Sequence, residues 1–142
     1  MLLADVNVLL YAYWEGAEDH ARYRSWLEDV AKADEAFGLS DFVLSSFVRI
    51  ATSPRVFSPP ARLEEALQFC ERLRARPNCV TVSPGPRHWG IFRNLCAAAR
   101  VKGNLVADAY LAAMAIESGC IWVTTDRDFS RFPGLRTIHP LG

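Results

Sequence analysis

The sequence predicts an α/β fold: a short, mostly parallel sheet with helices on both faces. Three observations predict it. Short apolar runs recur at Leu2–Val8, Val80–Val82, Ile121–Thr125 and Leu135–Ile138. Amphipathic segments with apolar residues spaced by three and four lie between them, the pattern of strands separated by helical crossovers. No linker, repeat or low-complexity stretch interrupts the chain.

Each element has its own signal. Leu2–Val8 reads as the first strand, apolar with one acid inside, and Leu9–Trp14 as the start of a helix or a turn. Asp19–Val30 reads as a helix with Ala21, Trp26, Leu27 and Val30 on one stripe. Asp34–Ser40 reads as a connection holding the apolar piece Phe37–Leu39. Val43, Phe47, Ile50 and Ala51 place a helix over Asp41–Thr52, and Ser53-Pro54 ends it, since a residue before proline is pushed away from helical angles. Leu63, Ala66, Leu67, Cys70 and Leu73 mark a helix ending near Arg76-Pro77. After the Pro84-Gly85-Pro86 turn, Arg87–Arg100 forms a helix with Trp89, Phe92, Leu95 and Ala99 inward. Gly103-Asn104 breaks it, and Val106–Glu117 forms an Ala-rich helix closed by Ser118-Gly119. Asp126–Phe132 reads as a loop or short turn.

The 142 residues, 51% of them hydrophobic and 23% charged, suit one globular domain spanning 1–142. A chain of this length buries roughly 68% of its unfolded surface, enough for a core without staples. No apolar run approaches the ~20 residues of a membrane span. Met1-Leu2-Leu3-Ala4 meets Asp5 at once, which does not fit a secretion signal, so the expected compartment is the cytoplasm. Cys70, Cys79, Cys96 and Cys120 form no C-x-x-C pair and read as small buried apolar residues. His20, His88 and His139 match no zinc spacing.

Equal numbers of acids and bases hide a split. Residues 1–41 carry a balance of −6 and residues 42–142 a balance of +6. Fourteen of the sixteen bases are arginine. Arginine's planar fork suits phosphate, so local placement of these side chains is the feature that would bind nucleic acid.

Most acids lie in charged helix segments such as Glu64-Glu65, where solvation explains them. Four do not. Asp5 and Asp108 sit inside apolar runs, and Asp126 and Asp128 follow Trp122-Val123-Thr124-Thr125. An unpartnered buried carboxylate is costly. In open parallel sheets, ligands bind beyond the carboxyl ends of strands. Acids converging there repel one another, and a hard divalent cation such as Mg²⁺ offsets that repulsion. Such an ion serves phosphodiester hydrolysis. The structural alternatives are helix or turn capping by Asp108, Asp126 or Asp128, and an ion pair between Asp5 and a buried arginine.

The stretches Leu3–Ala12, Phe47–Phe57, Pro84–Trp89, Gly103–Ala113 and Val123–Pro133 together resemble PIN-domain ribonucleases, specifically the VapC toxins of bacterial VapBC toxin–antitoxin modules. The resemblance implies a PIN-like three-layer sandwich and Mg²⁺- or Mn²⁺-dependent endonucleolytic cleavage of RNA, often tRNA or rRNA. It also implies a homodimer and neutralisation by a cognate VapB antitoxin. It assigns catalytic and metal-binding roles to Asp5, Asp108 and Asp126, with Asp128 ranked below them. Asn7, Asn104 and Thr125 take supporting polar roles. Many members carry a glutamate where this chain has Ser46, and Arg49 shares that helix face. The missing acid bears on the second metal. It also motivates an alternative, a catalytically weakened PIN-like module that binds RNA or protein without cutting. A phosphatase of the haloacid dehalogenase type would need a D-x-D after the first strand, where this chain reads Asp5-Val6-Asn7.

Overall fold

The computed structural model describes residues 1–142. In chain order the elements are β1 (Leu2–Ala4), α1 (Val6–Tyr13), α2 (His20–Lys32), β2 (Phe37–Leu39), α3 (Asp41–Ala51), α4 (Leu63–Arg74), β3 (Cys79–Thr81), α5 (His88–Ala99), α6 (Asn104–Ser118), β4 (Ile121–Val123), a 3₁₀ turn (Arg127–Arg131) and β5 (Thr137–Ile138). The five strands form one sheet in the order β3-β2-β1-β4-β5, and every pairing is parallel. The predicted class holds, with an entirely parallel sheet. No helix is long and apolar enough to cross a membrane.

Strand order explains where a site belongs. From β1 the chain builds outward through β2 and β3, then crosses back to lay β4 and β5 on the other side. The order therefore switches between β1 and β4, where the crossovers part and leave a crevice beyond the strand ends. β1 pairs with both neighbours, Leu3 opposite Gly38 on one side and Trp122 on the other. Extending the β1–β2 register by two residues and the β1–β4 register by one sets Asp5 level with Ser40 and with Thr124. Leu3, Leu9, Phe47, Met114, Trp122 and Phe129 are fully buried around this frame.

Three predicted elements are corrected. The first strand ends at Ala4 rather than Val8, and α1 starts at Val6. Asp5 makes the switch, because its carboxylate Oδ1 accepts the Val6 N–H at 2.7 Å and caps the helix. The segment Phe37–Leu39 is a strand and not a connection. Gly38 fits it there, since a Cβ would lie 2.9 Å from Val82 Cγ2. In α5 the inward position belongs to His88, whose Nε2 lies 2.9 Å from the Tyr110 carbonyl oxygen, and Trp89 turns outward with 68% of its surface exposed. Of the four tryptophans, Trp122 alone is fully buried. Cys70 and Cys120 are buried and Cys79 and Cys96 half-buried, all as free thiols.

Ser40 caps α3 as Asp5 caps α1: its Oγ accepts the Phe42 N–H at 3.2 Å. The residue is buried, so water cannot replace the bond. Ser40→Ala is expected to cost about 1 kcal/mol, read as a lower urea midpoint at unchanged slope.

Candidate active site

The site grows from three backbone positions at the sheet's carboxyl edge. Asp5 follows β1, Thr124 follows β4, and Asp126 opens the 3₁₀ turn. The Asp5 N–H continues the ladder by donating to the Val123 carbonyl at 2.9 Å. Its side chain is therefore fixed at the strand end, and only 3% of the residue is exposed. Both carboxylate oxygens are bonded: Oδ1 to the Val6 N–H and Oδ2 to the Thr124 hydroxyl, each at 2.7 Å.

Thr124 Oγ1 has a second partner. It accepts the Asp126 N–H at 3.1 Å, so one buried hydroxyl ties the acid after β1 to the backbone of the acid beyond β4. Asp126 Oδ1 in turn accepts the Asp128 N–H at 2.8 Å and caps the 3₁₀ turn. Asp128 is exposed, and its Oδ1 accepts from Arg131 at 3.1 Å. Asp108, the fifth residue of α6, completes the group as a half-buried side chain.

The electrostatics show that Asp108 lies within reach of the charges of the other three acids. Burial raises the proton affinity of Asp108, and the charges of Asp126, Asp5 and Asp128 raise it further, to a pKa of about 6, against opposition from Arg131. Burial also raises the Asp5 pKa; the Thr124 and Val6 hydrogen bonds oppose it, and Asp126 adds to it. Around Asp108, then, three carboxylates are countered by one arginine, which is itself paired with Asp128.

That excess of hard oxygen donors fits a divalent cation chemically. As placed, no three of the acids converge closely enough to form a closed ligand cage by themselves. Mg²⁺ does not require one, because it binds through one or two carboxylates and keeps several waters.

The predicted residues divide clearly. The charges of Asp5, Asp126 and Asp128 act on Asp108, and that of Asp126 acts on Asp5. Asp5 has no arginine partner, and Asp108 lies inside α6 rather than at its cap. The supporting bonds to Asp5 come from Val6 and Thr124, not from Asn7, Asn104 or Thr125. Thr125 lines a separate hollow with Tyr11, Trp14 and Tyr23. Ser46 is half-buried on α3 and Arg49 is exposed. The cation whose charge acts on Asp108 is Arg131 and not Arg49. Thr124 and Arg131 are thus the site residues that sequence reasoning missed. The signal available for Thr124 was its neighbour: two adjacent threonines end a strand, and alternation turns only one of them toward Asp5.

Comparison with known proteins agrees with this architecture. Residues 2–135 match the PIN domain. VapC ribonuclease Mb2897 of Mycobacterium bovis is 45% identical over 141 residues, covering 99% of this chain and 96% of its own length. Ribonuclease VapC25 of Mycobacterium tuberculosis is 41% identical over 140 residues, covering 99% of both. Among solved structures, VapBC2 from Rickettsia felis bound to promoter DNA superposes with a TM-score of 0.68 at 19% identity, covering 97% of each chain. VapC20 of Mycobacterium tuberculosis, described as a sarcin–ricin loop cleaving toxin, gives 0.65 at 18% identity, covering 96% of this chain and 99% of that one. At those identities the structures speak for the fold; the close relatives speak for descent. With an acid after β1, another inside α6 and a third beyond β4 on an all-parallel sheet, the chain belongs to the PIN-domain family, among the VapC ribonucleases.

Proposed function

We infer that residues 1–142 act as a single PIN domain, an endoribonuclease toxin of a type II toxin–antitoxin pair, hydrolysing RNA phosphodiester bonds in the cytoplasm. One observation carries this reading: at the switch point of a parallel sheet, Asp108 lies under the charges of Asp5, Asp126 and Asp128, with Arg131 the one cation that opposes them. The names of the curated relatives support RNA as substrate. tRNA and rRNA are the proposed targets.

Asp5, Asp108 and Asp126 would hold Mg²⁺ or Mn²⁺, with Asp128 at the rim. When bound, such an ion lowers the pKa of a water and offsets charge on the leaving oxygen. The chain's own part is orientation. Thr124 and the Val6 N–H fix the Asp5 carboxylate, the Asp128 N–H fixes Asp126, and the apolar strand ends beneath them exclude water. Held in advance, these oxygens need no reorganisation when an ion and phosphate arrive.

The regulatory partner we propose is a VapB-type antitoxin; solved neighbours include VapBC complexes. An antitoxin arginine entering the crevice would answer its negative charge. We also propose a homodimer. The competing reading, a weakened module that binds without cutting, rests on Ser46 standing where the family resemblance implies a glutamate.

Incubation of purified protein with total bacterial RNA separates the two. Discrete fragments are expected with Mg²⁺ or Mn²⁺ and none with EDTA. Asp5→Ala and Asp108→Ala should each lower the rate by at least about 100-fold, since even residues that merely orient a ligand are worth 10–100-fold. RNA binding without cleavage by a folded wild type would favour the binding module. Cleavage surviving both substitutions would place the site elsewhere.

A further inference from the structure

Helix α5 carries a feature that the acid crevice does not use. From Arg87 to Lys102 the chain holds four cations and no acid, although the whole chain is neutral. Arg87 is partly occupied, donating to the Glu117 carbonyl oxygen at 3.2 Å. Arg93, Arg100 and Lys102 are exposed and take part in none of the chain's ion pairs. Trp89 lies four residues before Arg93, so the two share one face of α5; Arg100 is the left-handed cap that ends the helix, and Lys102 lies in the turn beyond it. Trp89 is 68% exposed, and its indole is braced against Phe92, ring centroids 5.3 Å apart.

The stripe leads to the acids. α5 and α6 pack together as a hairpin joined at residues 100–103. Arg100 and Lys102 therefore stand at the end of α6 that carries Asp108, which is about 6 Å along the helix from its first residue at 1.5 Å per residue. Trp89 stands about 16 Å back along α5 by the same rise.

We propose that this face of α5, together with the turn that follows it, is the track along which single-stranded RNA reaches the acid crevice, with Trp89 as the base-stacking platform and Arg93, Arg100 and Lys102 as phosphate contacts. The proposal rests on the nuclease reading for its substrate and extends it to the residues that position that substrate. The chemistry selects RNA. Cations spaced along a helix and its end, with an exposed aromatic among them, match alternating phosphates and bases, and stacking needs unpaired bases. A crevice of four acids repels a polyanion, so the cations that draw one in must lie beside it. A second copy fits less well, because a two-fold contact along the stripe would set Arg93 and Arg100 against like charges with no acid to answer them.

The test uses the full chain bearing Asp108→Asn, which stops cleavage, and a labelled 12-nucleotide single-stranded RNA followed by fluorescence anisotropy across NaCl concentrations. Trp89→Ala is expected to weaken binding about tenfold, the value of one stacked base, and to leave the salt slope unchanged. Arg93→Ala with Arg100→Ala should weaken binding at low salt and reduce the slope by about 0.7 per arginine. These side chains are exposed, so both variants should keep the parent's melting temperature. Unchanged affinity in both variants, or no RNA binding by the parent, overturns the proposal. So does a fall in light-scattering mass with affinity intact, which would mark the face as a contact between copies. The nuclease reading fails separately: a wild type that binds RNA through the stripe yet never cuts would leave the track standing and remove the reaction.

Discussion

Asp108→Asn should abolish cleavage and at the same time make the metal-free protein more stable. The loss follows from removing an acid proposed to hold the ion, and is expected to exceed about 100-fold. The gain follows from the charge that Asp108 carries at neutral pH against burial and three neighbouring acids. Proton counting gives its sign. Between the ordinary value of 3.8 and the folded value of about 6, the folded chain holds a proton that the unfolded chain has released. Stability therefore falls as pH rises through that window, and the full penalty is present above it. Two pKa units correspond to at most about 3 kcal/mol, and the half-exposed side chain reduces this to on the order of 1 kcal/mol.

Thermal melts in EDTA should accordingly show Asp108→Asn about 2–4 °C above wild type at pH 7.5, converging near pH 3.5. Added Mg²⁺ should reverse the ranking, because an ion that binds only the folded state stabilises wild type by mass action and finds one fewer carboxylate in the variant. An asparagine variant less stable than wild type in EDTA at pH 7.5 would show that Arg131 compensates the cluster, and would remove the electrostatic argument for a cation.

What the sequence revealed and concealed divides along physical lines. Asp5 and Asp108 were legible because a charge inside an apolar run has few structural explanations. The parallel sheet was legible from apolar runs separated by amphipathic helices. The end of β1 was not: β1 is almost wholly buried, and Val8, Leu9 and Leu10 of α1 are buried as well. One unbroken apolar run thus covers a strand and a helix, and the local period that distinguishes them is lost. β2 is three residues long with glycine at its centre, too short and too small to display alternation. Arg131 was hidden among fourteen arginines, since only tertiary structure says which of them approaches an acid. Trp89 was misplaced because a helical stripe read one residue out of phase gives His88 and Trp89 each other's environment.

Thr124 presents the sharpest case, since its substitution by valine changes shape hardly at all and chemistry completely. Thr124→Val should reduce cleavage by about 10–100-fold, the usual effect of removing a group that orients a metal-binding carboxylate. It should also cost about 1–3 kcal/mol of stability, because a buried Asp5 oxygen would lose its donor and the Asp126 N–H its acceptor. Those losses act together. Without the hydroxyl, burial and the charge of Asp126 raise the proton affinity of Asp5 with less opposition, so activity should need more Mg²⁺ and a higher pH than in wild type. Thr124→Ser keeps the hydroxyl and should restore most of the rate, while Thr125→Val, whose side chain lines a different hollow, should leave the metal requirement unchanged. Mg²⁺ titrations of cleavage by the three variants decide the matter. A serine variant as impaired as the valine one would assign the effect to packing. Full activity in Thr124→Val would mean that Asp5 is positioned by its strand end alone, and that the hydroxyl bridge between β1 and β4 belongs to the fold rather than to the reaction.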